Sequence, residues 1–234
     1  MSGAAKAAKR AAGNAFLGTF GWRAEGDTPE PKKYVLIAAP HTSNWDFPFT
    51  LALAWALDVK MRWLGKHTLF EGPLGGFLKS VGGVPVIRHE RRNMVDQMAD
   101  LFAEHDELAL VVPAEGTRSR RPYWKSGFYH IASKAGVPIV PGFLDYARKR
   151  GGFGEPIVPS GDLKADMDRI RAFYADKVGK FPAKFGPVRL REELPVEPVV
   201  SEEPSGEHPV ASGLDATALE ATGLEAEAEE GLLA

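Results

Sequence analysis

Hydrophobic positions along this chain follow two recurring patterns. Short apolar runs bounded by glycine, proline or charge predict buried strands at Tyr34–Ala39, Lys60–Leu64, within Gly82–Arg88, at Leu108–Val112, Val137–Gly142 and Gly154–Val158. Longer stretches with helical spacing lie between them. Trp45–Leu57 is apolar nearly all round, which predicts a largely buried helix. Leu74–Ser80 and Ser126–Ala135 predict short helices, and Gly65–Phe70 reads as a loop. Asn93–His105 places Met94, Val95, Met98, Leu101 and Phe102 on one face. Leu163–Val178 does the same with Leu163, Met167, Ile170, Phe173, Tyr174 and Val178. Strands alternating with helices predict an α/β fold, a mainly parallel central sheet flanked by helices. There is no internal repeat.

The ends of the chain differ from this middle. Residues 3–17 are alanine-rich with Lys6, Lys9 and Arg10, followed by Phe16, Phe20 and Trp22. Two readings stand: a short basic helix whose aromatic end lies on a membrane surface, or a frayed terminus. Asp27–Lys33, with Pro29 and Pro31, reads as a linker. The chain is therefore divided into a basic and aromatic N-terminal segment (1–33), a central domain (34–191) and an acidic tail expected to be disordered (192–234).

Charge sharpens that division. The tail carries 12 of the 31 acidic residues and no Lys or Arg, so residues 1–191 hold 19 acidic against all 29 basic residues, a net of +10. A basic body suits an anionic partner, or is a solvated basic surface. At 234 residues and 44% hydrophobic, the chain can bury the core of one α/β domain. It has no cysteine, which excludes disulfides, thiolate nucleophiles and cysteine metal sites. No run is long enough to span a bilayer, and no secretory h-region opens the chain. The expectation is a cytoplasmic protein, peripheral on the inner face of a membrane.

Candidate chemistry follows three of the predicted strands. Tyr34–Ala39 runs into Pro40-His41-Thr42-Ser43-Asn44-Trp45-Asp46. His41 is the residue here that exchanges a proton near neutral pH unaided, and Asp46 is close enough in a tight turn to fix its tautomer. The alternative is a satisfied turn histidine beside a helix N-cap. Arg88 ends the Gly83–Ile87 run. Leu108–Val112 leads into Glu115-Gly116-Thr117-Arg118. Gly116 lets backbone approach a ligand, Thr117 offers a hydroxyl, and Arg118 presents a fork matched to phosphate. Either arginine alone is equally a surface ion pair. On parallel neighbouring strands, these turns share one sheet edge. Lys66, His67, Tyr123 and Lys125 are secondary candidates in polar loops.

The order of these blocks resembles the glycerolipid acyltransferase family, enzymes that acylate glycerol 3-phosphate or lysophosphatidic acid. Its His-x4-Asp block is similar to His41–Asp46, its Gly-rich strand ending in Arg to Gly83–Arg88, and its Glu-Gly-Thr-Arg-Ser block to Glu115–Ser119. Its apolar, proline-containing block is similar to Val137–Pro141, and together the four cover residues 34–142. Pro40 stands where the family usually has Asn or Ser, and Ala114 where it has Pro; both touch backbone shape, not reacting groups.

The resemblance implies a glycerol-3-phosphate acyltransferase-like fold. It also implies transfer of an acyl group from acyl-CoA or acyl-carrier protein to a lysophospholipid hydroxyl, with 1-acylglycerol 3-phosphate giving phosphatidic acid. No resident cofactor or metal and no nucleic-acid partner is expected; peripheral contact with an anionic membrane is. His41 would be the base and Asp46 its orienting carboxylate. Arg118, Gly116 and Thr117 would hold the acceptor phosphate, with Arg88 assisting. Glu115 would accept from an acceptor hydroxyl or anchor Arg118. Val137–Pro141 and the Trp45–Leu57 helix would wall the acyl channel, or are simply core.

Two other readings use the same residues. A His/Asp thioesterase or hydrolase needs no other group. A serine esterase would want a Gly-x-Ser-x-Gly elbow, which is absent, and His41, His67, His89, His105 and His130 show no zinc-type pairing. A basic module binding anionic lipid would be indifferent to His41.

Overall fold

The computed structural model describes residues 3–86 and 94–194. Arg88, His89 and the chain from 195 onward lie outside those residues. Helices are α1 (Gly3–Thr19), α2 (Asp46–Ala56), α3 (Gly75–Ser80), α4 (Met94–Glu104), α5 (Gly127–Ala135) and α6 (Leu163–Tyr174). Strands are β1 (Arg23–Glu25), β2 (Lys33–Ala39), β3 (Met61–Lys66), β4 (Gly83–Val86), β5 (Leu108–Val112), β6 (Ile139–Asp145) and β7 (Arg150–Phe153). They form one sheet in the order β1-β7-β6-β2-β5-β3-β4. Every neighbouring pair is parallel except β6 with β7. The fold is α/β, with helices on both faces.

Alternation along β2 explains how the two faces are covered. Val35 and Ile37 point to one side, where they join Met98 and Phe102 of α4, Phe128 and Ile131 of α5, and Met167, Ile170 and Tyr174 of α6. Tyr34 and Leu36 point to the other, where Leu51 and Ala54 of α2 cover them. With both faces buried, β2 reads as a continuous apolar run. Helix ends follow local chemistry. Gly136 takes the left-handed conformation (φ 62°) that closes α5, and Asp162 accepts the Ala165 N–H at 3.0 Å to start α6.

The N-terminal segment packs on this body. α1 crosses α2 at Gly13, where a Cβ would lie 2.5 Å from the Ala52 carbonyl oxygen. Gly13 permits this close crossing, and the segment is a packed helix rather than a frayed end. Leu17 and Trp22 are buried beside Phe49, Leu53 and Leu144, and β1 pairs with β7 at the sheet edge. Phe20 stays exposed.

Four predicted boundaries move. The last strand is Arg150–Phe153, not Gly154–Val158, from which Ile157 keeps a single bridge to Ile139. β6 runs to Asp145, past the expected end at Gly142, because Gly142–Asp145 pair with β7. β3 includes Gly65 and Lys66, and His67–Phe70 form a 3-10 turn. α6 ends at Tyr174, four residues short of Val178.

Candidate active site

β2 lies in the interior of the sheet between β5 and β6, so its exit is surrounded by the ends of its neighbours. The chain leaves β2 through Pro40, turns through His41–Trp45, and enters α2 at Asp46. Asp46 sits where the first free N–H groups of a helix favour an anion. Its Oδ2 accepts the backbone N–H groups of Thr42 at 2.8 Å and Ser43 at 2.9 Å. The same oxygen lies 3.3 Å from His41 Nδ1. That contact places the ring proton on Nδ1 and leaves the Nε2 lone pair on the opposite side of the ring.

The Asp46 side chain is almost fully buried. Burial pushes its carboxyl up, but hydrogen bonds from His41, the Ser43 N–H and the Tyr146 hydroxyl outweigh this and hold it below the ordinary carboxylate value. Asp46 is therefore a buried anion at neutral pH, partnered by an imidazole that is 20% exposed.

β5, parallel to β2, delivers the second block to the same edge. Gly116 takes φ 68°, a left-handed conformation that suits glycine, and its N–H closes a turn onto the Pro113 carbonyl at 2.9 Å. The Lys125 N–H bonds the Ala114 carbonyl at 2.7 Å, tying the two ends of the loop together. Glu115 is 2% exposed and turns inward. Its Oε1 accepts the His41 backbone N–H at 2.5 Å, while Oε2 is buried without a partner among the described residues. Burial pushes this carboxyl up to about 7; the His41 N–H opposes the rise and the charge of Asp46 adds to it. The sequence left Glu115 between an acceptor hydroxyl and Arg118, and the structure gives it a third partner, the backbone of His41.

A cavity of about 750 Å³ opens beside these groups. His41, Asp46, Gly116, Thr117, Arg118 and Ser119 line it. Arg118 is exposed, and Thr117 Oγ1 accepts the Ser119 N–H at 3.3 Å. The cavity continues between α2 and the sheet, past Phe47, Leu53 and Ala54 on one side and Leu36, Trp63 and Leu144 on the other. β6 contributes Gly142–Leu144 to this wall, whereas Val140 and Val137 belong to the core. Of the secondary candidates, Lys66 lines the cavity and Tyr123 lies under the Arg189 guanidinium. Lys125 packs its side chain beside Gly116, and His67 Nδ1 is buried without a partner among the described residues. Arg88 lies outside the described residues. Among those residues, no group of three His, Asp or Glu could hold a metal ion.

Two features were not read from the sequence. Tyr146, one residue past β6, donates its hydroxyl to Asp46 Oδ1 at 2.8 Å. Its place at the carboxyl end of a strand was the available signal, but the predicted strand stopped at Gly142. The second is the chain after α6, which crosses the His41–Asp46 turn. Gly179 sits against Thr42 and Pro40, the Phe181 N–H bonds Thr42 Oγ1 at 3.2 Å, and Lys180 Nζ lies 5.0 Å over the Trp45 ring.

Comparison with known proteins gives this geometry a family. The chain is 30% identical over 133 residues to a 1-acyl-sn-glycerol-3-phosphate acyltransferase of Haemophilus influenzae, 52% of this chain and 53% of that protein. It thus spans about half the length of this curated relative. Its fold is similar to the crystal structure of the 1-acyl-sn-glycerophosphate (LPA) acyltransferase PlsC from Thermotoga maritima, with a TM-score of 0.55 and 18% identity. That likeness covers 73% of this chain and 78% of the other. The family model described as Acyltransferase matches residues 22–144, more than half of the chain and the segment that carries both His41–Asp46 and Glu115–Arg118, so this chain belongs to the acyltransferase family.

Proposed function

We propose that this protein moves a fatty acyl group from a thioester, acyl-CoA or acyl-carrier protein, to the free hydroxyl of 1-acylglycerol 3-phosphate, giving phosphatidic acid. One observation carries the reading. His41, its Nδ1 committed to a buried Asp46, lines the same cavity as Arg118 and the Gly116–Thr117 turn. The names of the Haemophilus and Thermotoga proteins support the same acceptor.

The steps follow from the groups. His41 Nε2 takes the proton of the acceptor hydroxyl as that oxygen attacks the thioester carbonyl carbon. The C–S bond breaks as the ester forms, and the thiolate leaves with the proton held by His41. Asp46 balances the imidazolium between these events. A positioned general base contributes roughly 10²–10⁴-fold. Arg118 pairs with the acceptor phosphate, with Gly116 and Thr117 supplying close backbone and a hydroxyl; Arg88 assists. No covalent enzyme intermediate is needed.

The acyl chain lies between α2 and the sheet. The lining residues come from β7, β6, β2, β5 and β3, four strand spacings or roughly 19 Å, long enough for a long-chain fatty acyl group. The protein makes peripheral contact with an anionic membrane through an exposed aromatic surface. Phe20, Trp45 and Phe181 are each at least 40% exposed, and Phe20 and Trp45 meet at 6.0 Å between ring centroids. Lys180 lies over Trp45 and Lys184 over Phe181. Aromatic rings with adjoining lysines suit a headgroup layer. Trp22, first counted with the membrane aromatics, is buried between Phe49 and Tyr146. No helix among the described residues is long and apolar enough to cross a membrane.

The test is transfer from radiolabelled acyl-CoA, and separately from acyl-carrier protein, across a panel of lysophospholipids, beside His41→Ala and Asp46→Ala. Label in phosphatidic acid that is lost in both variants is the expected result. Free fatty acid alone makes the protein a thioesterase. Near wild-type transfer by either variant removes the assignment.

A further inference from the structure

Asp46 is held from a direction that its own turn does not supply. Oδ2 is committed to the Thr42 and Ser43 N–H groups and to His41 Nδ1. Oδ1 accepts from the Tyr146 hydroxyl at 2.8 Å. Tyr146 is the one donor from outside the catalytic turn among the described residues. It also stands two residues beyond the segment that matches the family model.

The phenol cannot swing away. Its ring packs against Trp22 at 4.8 Å, nearly perpendicular at 83°, and against Phe49 at 5.9 Å. Its backbone N–H donates to the Val178 carbonyl at 2.8 Å. Rotation about the Cβ–Cγ axis would carry Oδ2 off the His41 ring. The bonds to Oδ2 resist it from one oxygen, and a rigid donor on Oδ1 resists it from the other.

We infer that Tyr146 is a positioning residue, whose hydroxyl holds the Asp46 carboxylate against rotation and thereby sets the orientation of His41. The catalytic consequence rests on the acyl-transfer reading; the hold on the His41–Asp46 pair does not. Other titratable and charged groups face this pair. Glu115 reaches it through the His41 backbone N–H, and Tyr174 stands near Glu115. Arg118 lines the same cavity, and Lys180 lies over Trp45 within the turn. Tyr146→Phe leaves all of these in place and removes one hydroxyl.

Nuclear magnetic resonance of the imidazole nitrogens across pH, in wild type and Tyr146→Phe, tests this directly, with His41 assigned by its absence in His41→Gln. The expected result is displaced His41 nitrogen resonances in Tyr146→Phe, reporting a changed Nδ1–H contact with Asp46. In acyl transfer the same variant shows kcat lowered about tenfold with acceptor KM unchanged. Adding Tyr146→Phe to Asp46→Asn causes no further loss. Identical His41 nitrogen resonances and an identical kcat in wild type and Tyr146→Phe overturn the inference. So does an equal effect in the Asp46→Asn background. Displaced resonances in a protein that transfers no acyl group keep the positioning role and remove the acyl-transfer reading.

Discussion

The His41 backbone N–H and Glu115 Oε1 lie 2.5 Å apart, joining the turn after β2 to the turn after β5. The contact places a carboxyl raised to about 7 behind the His41–Asp46 turn. Its ordinary value is 4.5. Between these pH values the folded protein holds a proton that the unfolded chain has released. The stability this confers is fully present below the unfolded value, is lost as pH rises to about 7, and is absent above it. The loss amounts to about 3 kcal/mol. Glu115→Gln keeps an oxygen for the His41 N–H and removes the titration. Urea unfolding of both proteins from pH 4 to 8 checks this. Wild type minus variant should decline through that window, and a flat difference would contradict the buried, raised carboxyl.

Gly116 supports the other half of the same turn. A side chain there must adopt φ 68°, and its Cβ would meet Lys125 Cγ at 3.0 Å. Gly116→Ala should cost about 1–2 kcal/mol for the left-handed backbone. Because the turn carries Thr117 and Arg118, the expected kinetic effect is a several-fold rise in acceptor KM with a smaller change in kcat. Thermal unfolding and steady-state rates against acceptor concentration measure the two effects separately. An unchanged KM would take this turn out of acceptor binding.

The sequence made the site more legible than the edges of the sheet. Tyr34–Ala39 and Leu108–Val112 are buried on both faces, and that burial writes itself as an apolar run. His41–Asp46 and Glu115–Arg118 follow those runs directly, so their shared edge could be argued from spacing alone. β7 has the opposite character. It reads Arg-Gly-Gly-Phe, which looks like a turn. Its glycines answer to packing: a Cβ on Gly151 would strike the Leu53 side chain, and one on Gly152 the Glu25 carbonyl. That demand comes from α2 and β1, distant in sequence. Tyr146 was hidden for the same reason, since it reaches Asp46 across 100 residues. The packing of α1 was hidden too, because its crossing with α2 depends on Gly13 meeting Ala52 at a distance in sequence, which composition does not show.

The proposed contact with a membrane rests on Phe20, Trp45 and Phe181 with the neighbouring lysines. Phe181→Ser combined with Lys184→Ser removes one exposed ring and one charge without touching the cavity lining. Flotation with vesicles containing anionic phospholipid should retain the wild type and release the double variant. Retention should weaken as salt rises, since surface charge is screened over about 10 Å at 0.1 M. Activity on a short-chain acceptor dissolved in water should be unchanged. Equal flotation of both proteins would move the membrane contact elsewhere.

Ala54 tests where the acyl chain lies. It is 3% exposed, sits on α2, and forms part of the cavity wall opposite the sheet. A phenylalanine there projects into the space between α2 and β2, where the cavity supplies room that a close-packed core would not. The overpacking cost should be about 1–2 kcal/mol, the lower part of the usual range. The kinetic effect should depend on donor length, because only a long chain must pass the new ring. Initial rates with a series of acyl thioesters measure this: Ala54→Phe should lower kcat/KM for long-chain donors about tenfold or more while short-chain donors keep most of theirs, a discrimination of at least 1.4 kcal/mol. An equal fall at every length would mean that the ring perturbs the catalytic turn instead, and that the space beneath α2 does not hold the acyl chain.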